Sequence, residues 1–397
     1  MTPQADTSGP GDGGKGPEQL LADAAAALQR GDRAAALNAV FQAEAAAPFD
    51  PHVKMQKALI HRIGGALPAA LAALDEALAL DPYNFLALLS KGAVVEKLSG
   101  ARTAARVYEN AIKLAPLEAN LPPNLKGPLA RARDVVESTR TALAAYLADQ
   151  VGPVDAAGGE LAQRRLEEAI GIYAGVKKAY AHEPLLLHYP RLPAIPFYPR
   201  DLFPWLPELE AATPVIQAEL AGALQTQMDA FAPYIAFPPD APVNQWEELN
   251  HSRRWSSLFL WKDGVRQDAV CAACPKTAAL LAKLPMAHQP GFAPTAMFSA
   301  LEANTQIPAH TGSTNVRLLC HLPLVLPGPA RFRVGNEVRE WKLGQAWIFD
   351  DTIEHEAWND ADQLRVILIF DVWNPYLEPG ERERINALMA ARNAFYA

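Results

Sequence analysis

The sequence predicts a multidomain α + β chain: an α-helical solenoid of repeats, then a β-rich domain of jelly-roll or barrel type. Three observations predict it. Small residues and prolines recur every 34 residues in the first part. Near residue 185 the composition shifts from Ala- and Leu-rich to Pro- and aromatic-rich. Beyond that point, short apolar or alternating runs are separated by turn residues, a spacing suited to strands.

Residues 1–17, rich in Gly, Pro and Asp, read as a disordered tail. They lack a basic n-region and an apolar h-region, so no secretory leader is expected. Residues 18–150 carry the repeat. Pro48, Pro82 and Pro116 keep the 34-residue interval, as do Ala36, Ala70 and Ala104, and Ala43, Ala77 and Ala111. Gly31, Gly65 and Gly100 mark a turn in each unit, the last slipped by one residue. Each unit is expected to be two antiparallel helices. The alanines let them approach closely, the glycine supplies the turn and the proline ends the second helix. Such pairs bury a core only by stacking. The period is similar to that of tetratricopeptide repeats, about three of them. Further helices are expected over 126–149 and 158–182, which makes 151–184 a connecting helix.

The β-rich domain is expected over 185–397. It starts with an irregular connection, LLLHYPRLPAIPFYPRDLFPWLPELE, and a helix over 209–232. WSSLFLWKDG ends in an Asp-Gly turn. APTAMFSALEAN, VRLLCHLPLVLPG, QAWIFDD and LRVILIFDVW read as strands, and ARFRVGNEVREWKLG as a hairpin about Gly-Asn. EPGERERINALMAARNAFYA reads as a final helix.

The net charge of −8 and pI near 5.7 argue against a nucleic-acid surface, which needs clustered Lys and Arg. No run of 18 apolar residues suggests a membrane span. Three cysteines make no disulfide framework, and a cytoplasmic location is expected. Cys271 and Cys274 form a lone C-x-x-C and read as packing residues.

Of nine histidines, His52, His61, His182, His188, His251 and His288 read as surface or packed residues. His310, His321 and His355 differ, the first and last most clearly. Each adjoins a strand and a turn, and two histidines from different strands of a jelly-roll can converge on one metal. Neutral imidazoles suit iron and leave positions open for substrate and oxygen. The carboxylate often found two residues after the first histidine is absent; Gly312 stands there. On spacing alone, a pair of core histidines is an equal reading. Asp350 and Asp351 either orient a ligand imidazole or cap the turn, and Trp358 and Asn359 are expected to build the turn after His355.

The segment from Trp255 to about Pro375 resembles the aspartyl/asparaginyl β-hydroxylase family. The matching elements, in order, are WSSLFLWKDG, CPKTAALLAKLP, His310-Thr311-Gly312 with Thr314-Asn315, Arg317, His321, NEVREW, WIFDDTIEHEAWND, Arg365 and FDVWNP. The resemblance implies a double-stranded β-helix oxygenase domain that uses Fe(II), 2-oxoglutarate and O2. It implies His310 and His355 as metal ligands, with a water in place of the carboxylate near Gly312. It assigns Arg365 to the distal carboxylate of 2-oxoglutarate, matched in shape by a planar guanidinium. Ser299 is then a hydroxyl donor to the same group, and His321 contacts the cosubstrate near the metal. One position departs. Leu319 stands where members of the family place a second arginine, and Arg317, on the same strand face, is the residue expected to compensate.

The family implies hydroxylation of the β-carbon of Asp or Asn in a peptide or protein, with the repeats available to hold the polypeptide. Two alternatives stay open: a hydroxylase of a small molecule or lipid, and an inactive repeat-based binding scaffold, for which Leu319 is the sole sequence support.

Overall fold

A computed structural model describes residues 15–154 and 159–396; most of the expected tail lies outside the described residues. The chain divides into two compact units, residues 1–177 and 178–397.

The first unit is helical: α1 (Pro17–Gln29), α2 (Arg33–Ala46), α3 (Pro51–Ile63), α4 (Leu67–Leu80), α5 (Phe85–Ser99), α6 (Ala101–Lys113), α7 (Pro123–Val151) and α8 (Gly159–Ala174). The first six form three hairpins. Ala36, Ala70, Ala104, Ala43, Ala77 and Ala111 are all 0% exposed, so the repeated alanines sit where helix meets helix. Gly31, Gly65 and Gly100 have φ of 77°, 73° and 83° at the hairpin turns, a region that a Cβ disfavours. Asp50 and Asn84 cap the second and third hairpins through the backbone N–H groups of His52 and Ala87. The helix expected over 158–182 stops at Ala174, because Gly175 takes a left-handed φ of 79° and the N–H of Val176 turns back to the Gly171 carbonyl. No helix among the described residues is long and apolar enough to cross a membrane.

The second unit holds two sheets. Its strands are β1 (Ala232–Pro233), β2 (Trp255–Lys262), β3 (Val265–Arg266), β4 (Ala296–Leu301), β5 (Thr305–His310), β6 (Arg317–Val325), β7 (Ala330–Val334), β8 (Glu337–Glu340), β9 (Trp347–Phe349), β10 (His355–Asn359) and β11 (Arg365–Trp373). One sheet has the order β1-β2-β4-β11-β6-β9, with β3 also on β2; the other has β5-β10-β7-β8. The Asp263-Gly264 and Gly335-Asn336 turns close the hairpins read from the sequence. The helix expected over 209–232 is two shorter ones, α9 (Leu206–Ala211) and α10 (Thr213–Thr226). Two more, α11 (Asp268–Ala273) and α12 (Pro275–Leu281), follow β3, and α13 (Pro379–Tyr396) ends the chain.

The larger sheet is buried on both faces, which is why its central strands read as continuous apolar runs. Val366, Leu368, Phe370 and Val372 of β11 pack with Leu318, Cys320 and Leu322 of β6 against Leu209, Ile216 and Leu220 of α9 and α10. Each large side chain buried there contributes roughly 1.5–3 kcal/mol. Cys271 and Cys274 lie in this same core. The alternate residues face the smaller sheet: Met297 and Leu301 of β4 and Ile367 and Ile369 of β11 meet Ile307, Phe332 and Ala357. Strand alternation therefore puts Ser299, Arg317, Leu319, His321, Arg365 and Asp371 on one inner face.

Candidate active site

Between the sheets lies a cavity of about 280 Å³ that all six residues singled out in the sequence line: Ser299, His310, Arg317, His321, His355 and Arg365. His310 is the last residue of β5 and His355 the first of β10, and the two are direct cross-strand partners. Their ring centres lie 4.1 Å apart. Each ring is held the same way, Nδ1 to a backbone carbonyl two residues earlier: Pro308 at 2.7 Å and Ile353 at 3.0 Å. A carbonyl only accepts, so each Nδ1 carries the proton and each Nε2 keeps its lone pair, the tautomer a metal ligand needs. Burial pushes the His310 imidazole below its usual range and the His355 imidazole well below it, and the neighbouring His310 lowers His355 further. Two neutral, convergent nitrogens fit a divalent transition metal. Among the described residues no third His, Cys, Asp or Glu joins them.

Arg365 lies on the facing sheet. It is 1% exposed, and Nε, Nη1 and Nη2 all lack a hydrogen-bond partner among the described residues. The guanidinium carbon sits 4.5 Å from the centre of the Trp341 ring, and burial pushes its pKa down to about 9. A buried cation without a counterion is costly unless an anionic ligand completes it. Ser299 helps define that ligand. Its Oγ accepts a hydrogen bond from Trp255 Nε1 at 3.0 Å, which leaves the hydroxyl proton free to donate. His321 is buried, its Nδ1 is unpartnered, and burial followed by Arg365 pushes it well below the imidazole range.

Near His310 the structure shows what fills the place of the absent carboxylate. A Cβ built on Gly312 would lie 1.9 Å from Asp351 Oδ2, so glycine is required for the Asp351 carboxyl to occupy that space. Burial pushes that carboxyl up to about 8, against the pull of Arg317. Asp350 points elsewhere. It accepts from Thr352 N and Oγ1, and its Oδ2 lies 2.9 Å from Nε2 of the buried His182. The backbone of 183–186 bonds to Thr352, Gly312 and Ser313, tying down the two loops beside the histidines.

Arg317 faces the cavity, but its Nη1 donates to Asp371 Oδ2 at 2.9 Å and its guanidinium lies over Phe292. The turn expected from Trp358 and Asn359 is instead part of β10, paired to Gln306 and Thr305; Asn359 donates to the carbonyls of Leu301, Glu302 and Gln363. Sequence reasoning missed Trp255, Trp341 and Asp371. Trp255, Trp341 and Asp371 stand inside the matched runs WSSLFLWKDG, NEVREW and FDVWNP, but their partners are distant in the chain.

A pair of neutral histidines and an uncompensated guanidinium thus share one cavity between the two sheets. Residues 210–375 match the model of the family described as aspartyl/asparaginyl beta-hydroxylase. The chain is 38% identical over 201 residues to the ornithine lipid ester-linked acyl 2-hydroxylase of Rhizobium tropici, covering 50% of this chain and 67% of that protein. It is 40% identical over 144 residues to human aspartyl/asparaginyl beta-hydroxylase, covering 36% of this chain and 19% of that one. Aspartate beta-hydroxylase domain-containing protein 2 of Xenopus tropicalis is 30% identical over 52% of this chain and 55% of its own length. The chain belongs to the aspartyl/asparaginyl beta-hydroxylase family, and it spans about a fifth of the length of human aspartyl/asparaginyl beta-hydroxylase.

Proposed function

We propose that the second unit is an Fe(II)- and 2-oxoglutarate-dependent hydroxylase. The observation that carries this is Arg365, a fully buried guanidinium with three unpartnered nitrogens, sharing a cavity with two neutral histidines whose Nε2 atoms are free. His310 and His355 would hold the iron. Arg365 and the Ser299 hydroxyl would hold the distal carboxylate of 2-oxoglutarate, with Trp255 fixing the serine. When bound, iron with 2-oxoglutarate and O2 supplies the oxidising chemistry that turns C–H into C–OH while the cosubstrate becomes succinate and CO2. Ile307, Phe332, Phe349, Ile367 and Ile369 line the space between the two ends and exclude water from it. Asp351, half-buried beside Gly312, is placed to accept a hydrogen bond from a water or substrate donor there.

For the substrate, the relatives' names offer both an acyl chain and an aspartyl or asparaginyl side chain, and either requires oxidation of an unactivated carbon. The helical unit has a cleft of about 570 Å³ between α6, α7 and α8. Arg102, Arg106, Tyr146 and Tyr173 line it, a surface suited to a peptide partner.

The test is anaerobic titration of 2-oxoglutarate with and without metal, for wild type and His310→Ala. Binding that needs both metal and His310 supports the proposal. Equal, weak binding in all four cases would leave a repeat-based scaffold as the better reading.

A further inference from the structure

The cavity has two ends, and their charges differ. Arg365 and Asp371 are six residues apart on β11, roughly 20 Å at the usual rise per strand residue. Ile367 and Ile369 lie between them on the same inner face. The Arg365 end is assigned above to 2-oxoglutarate, and the inference below rests on that reading.

At the other end the charged side chains are Arg317, Asp371 and Asp351. Arg317 is the one Lys or Arg besides Arg365 among the cavity residues. Its charge is already balanced: Asp371 Oδ2 accepts from it at 2.9 Å and also accepts from Thr295 N at 2.6 Å. Asp351 adds a second carboxyl to the same end. Leu319, directly opposite Asp371 in the β6–β11 register, supplies no donor. One guanidinium thus faces two carboxyl groups. A substrate carboxylate would enter a low-dielectric site with no cation left to pair with it.

The remaining surface is apolar. Leu319 and Ile369 line the interior, and Leu185, Ile235 and Trp246 continue it outward. Leu185 is 77% exposed, a leucine left in water on the cavity wall. Asp351 and the Tyr234 hydroxyl can meet a neutral donor such as an amide or hydroxyl.

We infer that the carbon oxidised here is carried on an uncharged chain, an acyl or alkyl segment, and not on an aspartate side chain, with Leu319 as the residue that sets this preference. Hydrocarbon entering from Leu185 and Trp246 would run over Leu319 and Ile369 toward the histidines, and discrimination against a carboxylate arises from the unpaired charge it would bring.

The test compares succinate release by the purified full chain, with Fe(II) and 2-oxoglutarate, in the presence of N-dodecanoylglycinamide or of a neutral-ended peptide containing one Asp. Wild type should be stimulated by the acyl amide and not by the Asp peptide. Leu319→Arg should shift the ratio of the two toward the Asp peptide by at least about tenfold, an arginine there being able to pair with the substrate carboxylate. Leu319→Met, similar in volume and uncharged, should keep the wild-type preference. Stimulation of wild type by the Asp peptide at or above that by the acyl amide, no stimulation by the acyl amide, or an unchanged ratio in a folded Leu319→Arg protein would each overturn the inference. Should Leu319→Arg not fold, the wild-type comparison decides alone. Metal-dependent 2-oxoglutarate binding is measured alongside. Its absence from wild type would instead remove the oxygenase reading itself.

Discussion

Arg365→Met is expected to stabilise the ligand-free protein while removing its response to 2-oxoglutarate. The guanidinium is 1% exposed and unpartnered, and burial pushes its pKa from the usual arginine range down to about 9. At 1.36 kcal/mol per pH unit, that difference is a penalty of roughly 5 kcal/mol. The face of Trp341 at 4.5 Å returns about 2 kcal/mol through the cation–π interaction, leaving about 3 kcal/mol. Methionine fills most of the same volume without the charge. For a domain of this size the gain corresponds to an increase in melting temperature of about 6–12 °C. The sign is fixed by linkage. A base with a depressed pKa in the folded state carries its full penalty at every pH below that value and loses it only above. The gain should therefore be the same at pH 6 and pH 8. Calorimetry with Mn(II), with and without 2-oxoglutarate at about a hundred times its Kd, completes the assay. Wild type should gain about 2.7 kcal/mol from the ligand and the variant nothing. A variant less stable than wild type would show that the guanidinium is already satisfied. A retained ligand shift would show that the distal carboxylate lies elsewhere.

Gly312→Asp should fail to create a third metal ligand and should weaken Mn(II) binding at least about tenfold, since its Cβ would collide with Asp351; tighter binding by calorimetric titration would refute this. Trp255→Phe removes the donor to Ser299 and should weaken 2-oxoglutarate binding about threefold to tenfold while leaving metal affinity unchanged. Asp351 has a raised pKa, about 8, so the unfolded chain ionises first and stability falls as pH rises from about 4 to 8. Asp351→Asn should remove that slope, and a melting-temperature difference from wild type that stays constant between pH 5 and pH 8 would contradict it. Asp371→Leu strands the Arg317 guanidinium and should cost about 3–5 kcal/mol in chemical denaturation, most of it recovered in the double variant with Arg317→Met.

Much of the site was legible because strand alternation is a local rule. Arg317, Leu319 and His321 share a face by spacing alone, and so do Arg365 and Asp371 on β11. What spacing does not give is the neighbour across the sheet. His310 and His355 were expected to converge from strand ends, but their pairing as direct partners follows from the β5–β10 register, which includes a bulge just after His355. Arg317 was expected to compensate for Leu319. Its partner, Asp371, is 54 residues away and is brought to it by the β6–β11 pairing.

By itself the sequence determined the order of the two units, the 34-residue helical period, most strands of the β-rich domain and the six residues that line one cavity. The unit order, period and strands depend on side-chain periodicity and turn chemistry, which act over a few residues, whereas the six cavity residues were marked by the family resemblance. The tertiary structure alone decided that Arg365 is left without a partner, that the Asp351 carboxyl fills the space beside Gly312, and that Arg317 is spent on Asp371. Each depends on which groups two facing sheets bring within hydrogen-bonding distance, and burial there turns an ordinary charge into a demand for a particular ligand.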